Sequence, residues 1–164
     1  DGDGLDDILI GSAGLDDGGD HAGGAYVVLG SSLGEPGIYS LSVADYKFIG
    51  EHPGDYAGAT VANAGDVDGD GLADLFVGAL DYSLDHEFQG AAYIILGNSL
   101  GTDREIDLYY ADYKLTGNTA EIYLGQSVAT AGDVDGDGKD DAVIGAWYGP
   151  DWTGAAYIVT GIGQ

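Results

Sequence analysis

Cysteine and methionine are absent from the 164 residues, proline occurs 3 times, and lysine and arginine together number 4. Each scarcity excludes something. Without cysteine there is neither a disulfide framework nor a thiolate metal site. No apolar run approaches the roughly 20 residues of a membrane-spanning helix, and no cleavable leader pattern is visible, so membrane insertion is not expected. The few cations face 29 Asp and Glu, for a formal net charge of -25. A surface this negative repels phosphate backbones, which removes nucleic acid as a partner, and anionic membranes are disfavoured for the same reason. The missing methionine fits a processed chain or a segment of a longer one.

What the chain has in excess is glycine, 31 residues, beside a hydrophobic fraction of 45%. That fraction belongs to a folded protein rather than an acidic tail. Glycine at this density forbids long helices, and the Gly-X-Y period of collagen is absent.

The sequence repeats itself at an offset of 67. DVDGDGLADLFVG at 66–78 returns as DVDGDGKDDAVIG at 133–145, and DGDGLDDILIG at 1–11 is the same block entered at its third position. Ser32-Leu33-Gly34 returns as Ser99-Leu100-Gly101, and Ala44-Asp45-Tyr46-Lys47 as Ala111-Asp112-Tyr113-Lys114. The chain is therefore about two and a half copies of one unit. The expected units are 1–50 (partial), 51–117 (complete) and 118–164 (partial).

Within a unit the apolar pattern is that of strands. DLFVGAL, DAVIGAW and DILIGSA are short apolar runs bounded by Asp and Gly, as strands buried on both faces require. AAYIILG, AAYIVTG and GAYVVLG follow, rich in β-branched and aromatic residues. IYSLSVADYKFIG and IDLYYADYKLTG are longer and more polar, as outer strands, while GATVANAG and GQSVATAG precede the acidic block. Four short strands per repeated unit predict an all-β fold of tandem four-stranded antiparallel blades, as in a propeller. With the inner strand lettered A and the outer D, the chain runs B-C-D, A-B-C-D, A-B-C.

The acidic blocks have the spacing of a metal loop. Asp66, Asp68, Asp70 and Asp74 fill positions 1, 3, 5 and 9, as do Asp133, Asp135, Asp137 and Asp141; in the first unit Asp1, Asp3 and Asp7 fill positions 3, 5 and 9. Gly4, Gly71 and Gly138 at position 6 permit the positive φ of a tight turn. At position 7 the backbone carbonyls of Leu5, Leu72 and Lys139 can complete the set. Four carboxylates, one carbonyl and water match the six to eight oxygens that Ca²⁺ takes, whereas Zn²⁺ would select His or Cys. Up to three Ca²⁺ sites are expected, the first incomplete within this chain. An EF-hand is excluded, because position 12 is Ile10, Val77 or Ile144, each inside an apolar strand.

These residues resemble the FG-GAP repeat of integrin α-subunit β-propellers and their bacterial relatives. The matching segments are the Gly58-to-Val61 and Gly125-to-Val128 strands, the DVDGDGxxD loops, Val77-Gly78-Ala79 with Ile144-Gly145-Ala146, and the GAAY strands. The family's FG dipeptide reads Ala57-Gly58 and Leu124-Gly125 here, and its VGAP proline is replaced by Leu80 and Trp147. The resemblance implies an extracellular or cell-surface module of structural or adhesive role, with Ca²⁺ rigidifying the hairpin between A and B strands. It also implies further blades, from the same polypeptide or from neighbouring subunits. A segment of a longer repeat protein is the favoured reading, and a filament subunit completed by strand addition is the other.

Chemistry is harder to place. No nucleophile elbow, P-loop or Ser-His-Asp arrangement is visible, so the chain is not expected to be an enzyme. His21, His52 and His86 read as solvated loop residues. Tyr26, Tyr93 and Tyr157 share one strand position and are expected to pack between blades. The variable loops 81–89 and 147–153 are the candidates for binding a protein or glycan, through Trp147, Tyr148 and Trp152.

Overall fold

A computed structural model of the chain describes residues 1–148, 153–160 and 162. Strands β1 (Ile8–Gly11), β2 (Gly24–Val28) and β3 (Tyr46–Ile49) come first. The nine-residue β4 (Ala57–Gly65) leads into β5 (Asp74–Ala79), β6 (Ala91–Ile95), β7 (Glu105–Asp107) and β8 (Tyr113–Thr116). Then come β9 (Leu124–Gly132), β10 (Asp141–Ala146) and β11 (Ala155–Val159). They form three sheets, ordered β1-β2-β3-β7, β4-β5-β6-β8 and β9-β10-β11. Short 3₁₀ turns are the only helical structure among the described residues. The all-β, blade-like reading of the sequence holds.

The middle sheet explains why its strands lack polar alternation. On β5 and β6, Val77, Tyr93 and Ile95 pack against Val27 and Phe48 of the first sheet. Their neighbours Phe76, Ala92 and Ile94 pack against Ala142 and Ile144 of the third. A strand buried on both faces has no solvent side on which to place a charge. Each fully buried Val, Ile or Phe contributes about 1.5–3 kcal/mol of apolar burial.

Successive sheets touch through glycine. A β-carbon on Gly11 would lie 2.0 Å from the Gly58 carbonyl oxygen, and one on Gly78 would lie 2.2 Å from that of Gly125. The glycine of the Ile-Gly or Val-Gly end in one blade thus faces the glycine that opens the inner strand of the next. Gly58 and Gly125 also hold φ of +79° and +85°, a conformation that costs other residues energy.

One difference from the expected strands concerns the outer segment. Residues 105–116 do not form one long outer strand. Asp107 accepts the Tyr109 N–H at 2.8 Å and caps a 3₁₀ turn, Leu108–Tyr110, which splits the segment into β7 and β8. β8 closes the middle sheet, while β7 pairs in parallel with β3 of the first, Phe48 opposite Ile106. Lys47 fastens this crossover, reaching Glu105 at 3.2 Å and Asp17 at 2.9 Å.

The recurring Ser-Leu-Gly and Ala-Asp-Tyr-Lys motifs turn out to be two halves of one clip. Asp45 accepts the Leu29 N–H and the Ser32 hydroxyl; Asp112 accepts those of Leu96 and Ser99. The carboxylate caps the turn that leaves the third strand of each blade.

Candidate metal centres

Two of the acidic blocks connect a long inner strand to its neighbour: 66–73 joins β4 to β5, and 133–140 joins β9 to β10. The loops are built the same way. Asp66 Oδ1 accepts the N–H groups of Gly69 and Asp70, and Oδ2 that of Gly71, at 2.8–3.0 Å. Asp133 gathers Gly136, Asp137 and Gly138 in the same pattern. Position 1 is therefore the hub about which the backbone wraps.

The following aspartates form a stair of side-chain turns, each capping the amide two residues on. Asp68 takes Asp70 and Asp70 takes Leu72; Asp135 takes Asp137 and Asp137 takes Lys139. In the first block Asp1 takes Asp3 and Asp3 takes Leu5. Position 6 is left-handed in all three, with φ of +91°, +89° and +91° at Gly4, Gly71 and Gly138. Sequence reading found that glycine and missed its partner at position 4, where Gly2, Gly69 and Gly136 are also left-handed.

Position 9 differs from the others. Asp74 and Asp141 are both 0% exposed, at the first residue of β5 and β10. Asp74 accepts Val67 and Gly97 amides, each at 2.8 Å, and so ties the loop to the far end of β6. Asp7 likewise accepts Gly30 at 2.9 Å. Burial raises the Asp74 carboxyl above the usual range; the Gly97 and Val67 amides oppose this, and Asp68 and Asp70 add to it. Asp141 accepts Val134 through Oδ2, while its buried Oδ1 has no partner among the described residues. Gly161, the counterpart of Gly97, lies outside the described residues.

Oxygens of Asp66, Asp68 and Asp70 lie within 4.8 Å of one another, as do those of Asp133, Asp135 and Asp141. Two oxygens on opposite sides of a Ca²⁺, each about 2.4 Å away, are about 4.8 Å apart, so the groupings have the size of its oxygen shell. The donor set is all oxygen, as a hard cation requires. Carboxylates so close repel by about 1 kcal/mol per pair even at water's dielectric constant. The residues fit the ion, which would relieve that repulsion.

A third grouping, Asp16, Asp20 and His21, was not anticipated. All three residues are on the surface, and their groups bond one another: the His21 amide donates to Asp16 and its ring pairs with Asp20 at 2.8 Å. The other histidines are also in local bonds, His52 to Asp55 and the His86 amide to Gln89.

Trp147 is 58% exposed and lies flat on Tyr148, their rings 5.5 Å apart at 4°. Tyr123 meets both edge-on and stacks on Phe88 at 5.6 Å and 8°. Phe88 and Tyr123 hold φ of 51° and 53°, as their counterparts His21 and Tyr56 hold 54° and 52°. The 67-residue offset pairs these four rings and was the available signal. Trp152 lies outside the described residues. Of the three equivalent tyrosines, Tyr93 is buried, Tyr26 is half-buried and Tyr157 is exposed, so of the three only Tyr93 is fully packed between blades.

Blades strung on an inner strand, with acidic loops at one end, define a β-propeller-type repeat. The FG-GAP repeat family matches residues 57–95 and 124–159. Integrin alpha-PS2 of Drosophila melanogaster is 34% identical over 122 residues, covering 71% of this chain and 8% of the relative. Integrin alpha-4 of Xenopus laevis is 31% identical over 151 residues, 89% of this chain and 13% of the relative. Human phosphatidylinositol-glycan-specific phospholipase D is 30% identical over 154 residues, 90% of this chain and 17% of the relative. The chain is an FG-GAP repeat protein, and it spans less than a fifth of the length of these relatives. Among the described residues no helix is long and apolar enough to cross a membrane.

Proposed function

We propose that this chain is a calcium-stabilised structural or adhesive module, working outside the cell, with units at 1–50, 51–117 and 118–164. The observation that carries this is the convergence of aspartate oxygens within 4.8 Å in two successive loops. The ligands are Asp66, Asp68, Asp70, Asp74 and the Leu72 carbonyl in one, and Asp133, Asp135, Asp137, Asp141 and the Lys139 carbonyl in the other. Asp1, Asp3, Asp7 and the Leu5 carbonyl form part of a third. Ca²⁺ supplies positive charge and no chemistry of bond making. Exposed, carboxylate-rich loops suit the millimolar calcium of the exterior. Eleven of the 29 acids serve as ligands, and three bound ions would bring the formal charge from -25 to about -19. The module acts by holding shape and presenting loops, without catalysis of its own. Calorimetric titration with CaCl₂ tests the reading. At least two ions should bind per chain, and Asp70→Ala and Asp137→Ala should each remove one; no uptake at millimolar calcium overturns it.

A second reading adds ligand binding at Trp147, Tyr148 and Trp152, and the stack of the exposed Trp147 on the half-buried Tyr148 favours it. Stacked aromatics suit a sugar face or a partner's side chain. Parent, Trp147→Ala and Trp152→Ala should be compared on a glycan array and a panel of immobilised proteins. Capture by the parent alone, with unchanged circular dichroism, supports the reading, and equal capture by all three contradicts it.

A further inference from the structure

The two complete loops are joined by a contact that calcium binding does not require. Asp140, at position 8 of the third unit's loop, accepts the Asp66 N–H through Oδ2 at 2.9 Å. Its own N–H donates to the Asp66 carbonyl, also at 2.9 Å. Asp66 is held through its backbone on both sides by one residue of the neighbouring blade. Its carboxylate meanwhile gathers Gly69, Asp70 and Gly71. Where Asp140 sits therefore sets where the hub of the other loop sits.

Space for this contact is made on purpose by Gly65. A β-carbon there would fall 2.2 Å from Asp140 Oδ2 and 2.6 Å from its Cβ. At the matching Gly132, nothing among the described residues lies within 4 Å. Position 8 is not a ligand position, and it varies: Asp6, Ala73 and Asp140 in the three units. Alanine at 73 has no side-chain acceptor, so this link belongs to the second and third loops.

We propose that Asp140 is a positioning residue that couples calcium uptake at the 133–141 loop to uptake at the 66–74 loop. The inference rests on the calcium reading above. Asp140 precedes Asp141, whose carboxylate ends the third loop, so ordering that loop fixes residues 140 and 141 together. The fixed Asp140 peptide and carboxylate then hold the Asp66 hub in its binding position, and the second ion meets a loop already arranged. By linkage the effect runs equally in the other direction.

The test is calorimetric Ca²⁺ titration of the whole chain, as parent, Asp137→Ala, Asp140→Ala, Asp140→Asn and the double variant Asp137→Ala with Asp140→Ala. Disabling the third loop by Asp137→Ala should weaken the remaining 66–74 site by about fivefold or more. Asp140→Ala should weaken that site to a similar degree while leaving the third loop its calcium. Adding Asp137→Ala to it should then change the 66–74 site no further. Asp140→Asn keeps an oxygen for the Asp66 amide and should retain the parent's affinity, which separates positioning from loss of charge. An unchanged 66–74 affinity in both Asp137→Ala and Asp140→Ala overturns the coupling alone. Equal weakening by Asn and Ala overturns the hydrogen-bond account, and a parent that takes up no calcium overturns coupling and calcium reading together.

Discussion

The Lys114 ammonium on β8 lies 2.9 and 3.1 Å from the two oxygens of the Glu51 carboxylate, in the turn that leaves β3. Glu51 is only 4% exposed at its side chain, and the Tyr93 hydroxyl donates to it at 2.8 Å. Lys114 also sits over the Tyr82 and Tyr109 rings at 5.2 and 5.6 Å. This knot of charge lies where the first and second sheets meet.

Lys114→Met leaves the buried Glu51 carboxylate short of its counter-ion and should cost about 2–3 kcal/mol near neutral pH. Burial pulls the Lys114 pKa down, but Glu51 and Tyr82 outweigh it and hold the group above its ordinary 10.5. The raised group therefore contributes its full stability below 10.5 and loses it as pH climbs through the folded value. The stability difference between parent and variant, by denaturant titration, should stay constant to about pH 10 and shrink above it.

Gly125→Ala puts a β-carbon 2.0 Å from the Ala91 carbonyl oxygen, at a φ of +85°. We expect a loss of about 3 kcal/mol or failure to fold. Gly138→Ala carries only the backbone strain, since nothing among the described residues lies within 4 Å of its added carbon, and should cost about 1–2 kcal/mol in EDTA. Chemical denaturation of both variants checks the order; equal costs would place the strain in φ alone and not in the contact between blades.

Two aspartates of one loop should behave differently. Asp74→Ala strands the Val67 and Gly97 amides, so it should cost about 3 kcal/mol even in EDTA. Asp70 is exposed and caps only Leu72, so Asp70→Ala should change EDTA stability by less than about 0.5 kcal/mol and act through calcium. Melting both variants with and without calcium separates the roles.

The repeat, the inner strands and the turns of the acidic blocks were legible because each is local: glycine and aspartate at fixed offsets state their own turn. The splitting of 105–116 was not, because Asp107 can cap a turn or continue a strand, and Phe48 in the other blade decides by offering an edge to Ile106. Asp140 was passed over for a related reason. Its role depends on Asp66 and Gly65, 74 and 75 residues earlier, across a blade boundary that no spacing rule reaches. The bracing of Val67 and Gly97 by Asp74 was hidden as well, since a buried carboxylate and an exposed one are written with the same letter.

Thermal unfolding of the parent in millimolar CaCl₂ and in EDTA tests the central claim most directly. A site filled to a hundred times its Kd adds about 2.7 kcal/mol, or about 5–10 °C in a chain of this size. The midpoint should rise by at least that amount in calcium and by less in an equal concentration of magnesium. The same midpoint in calcium and in EDTA would contradict the claim that calcium holds these loops together.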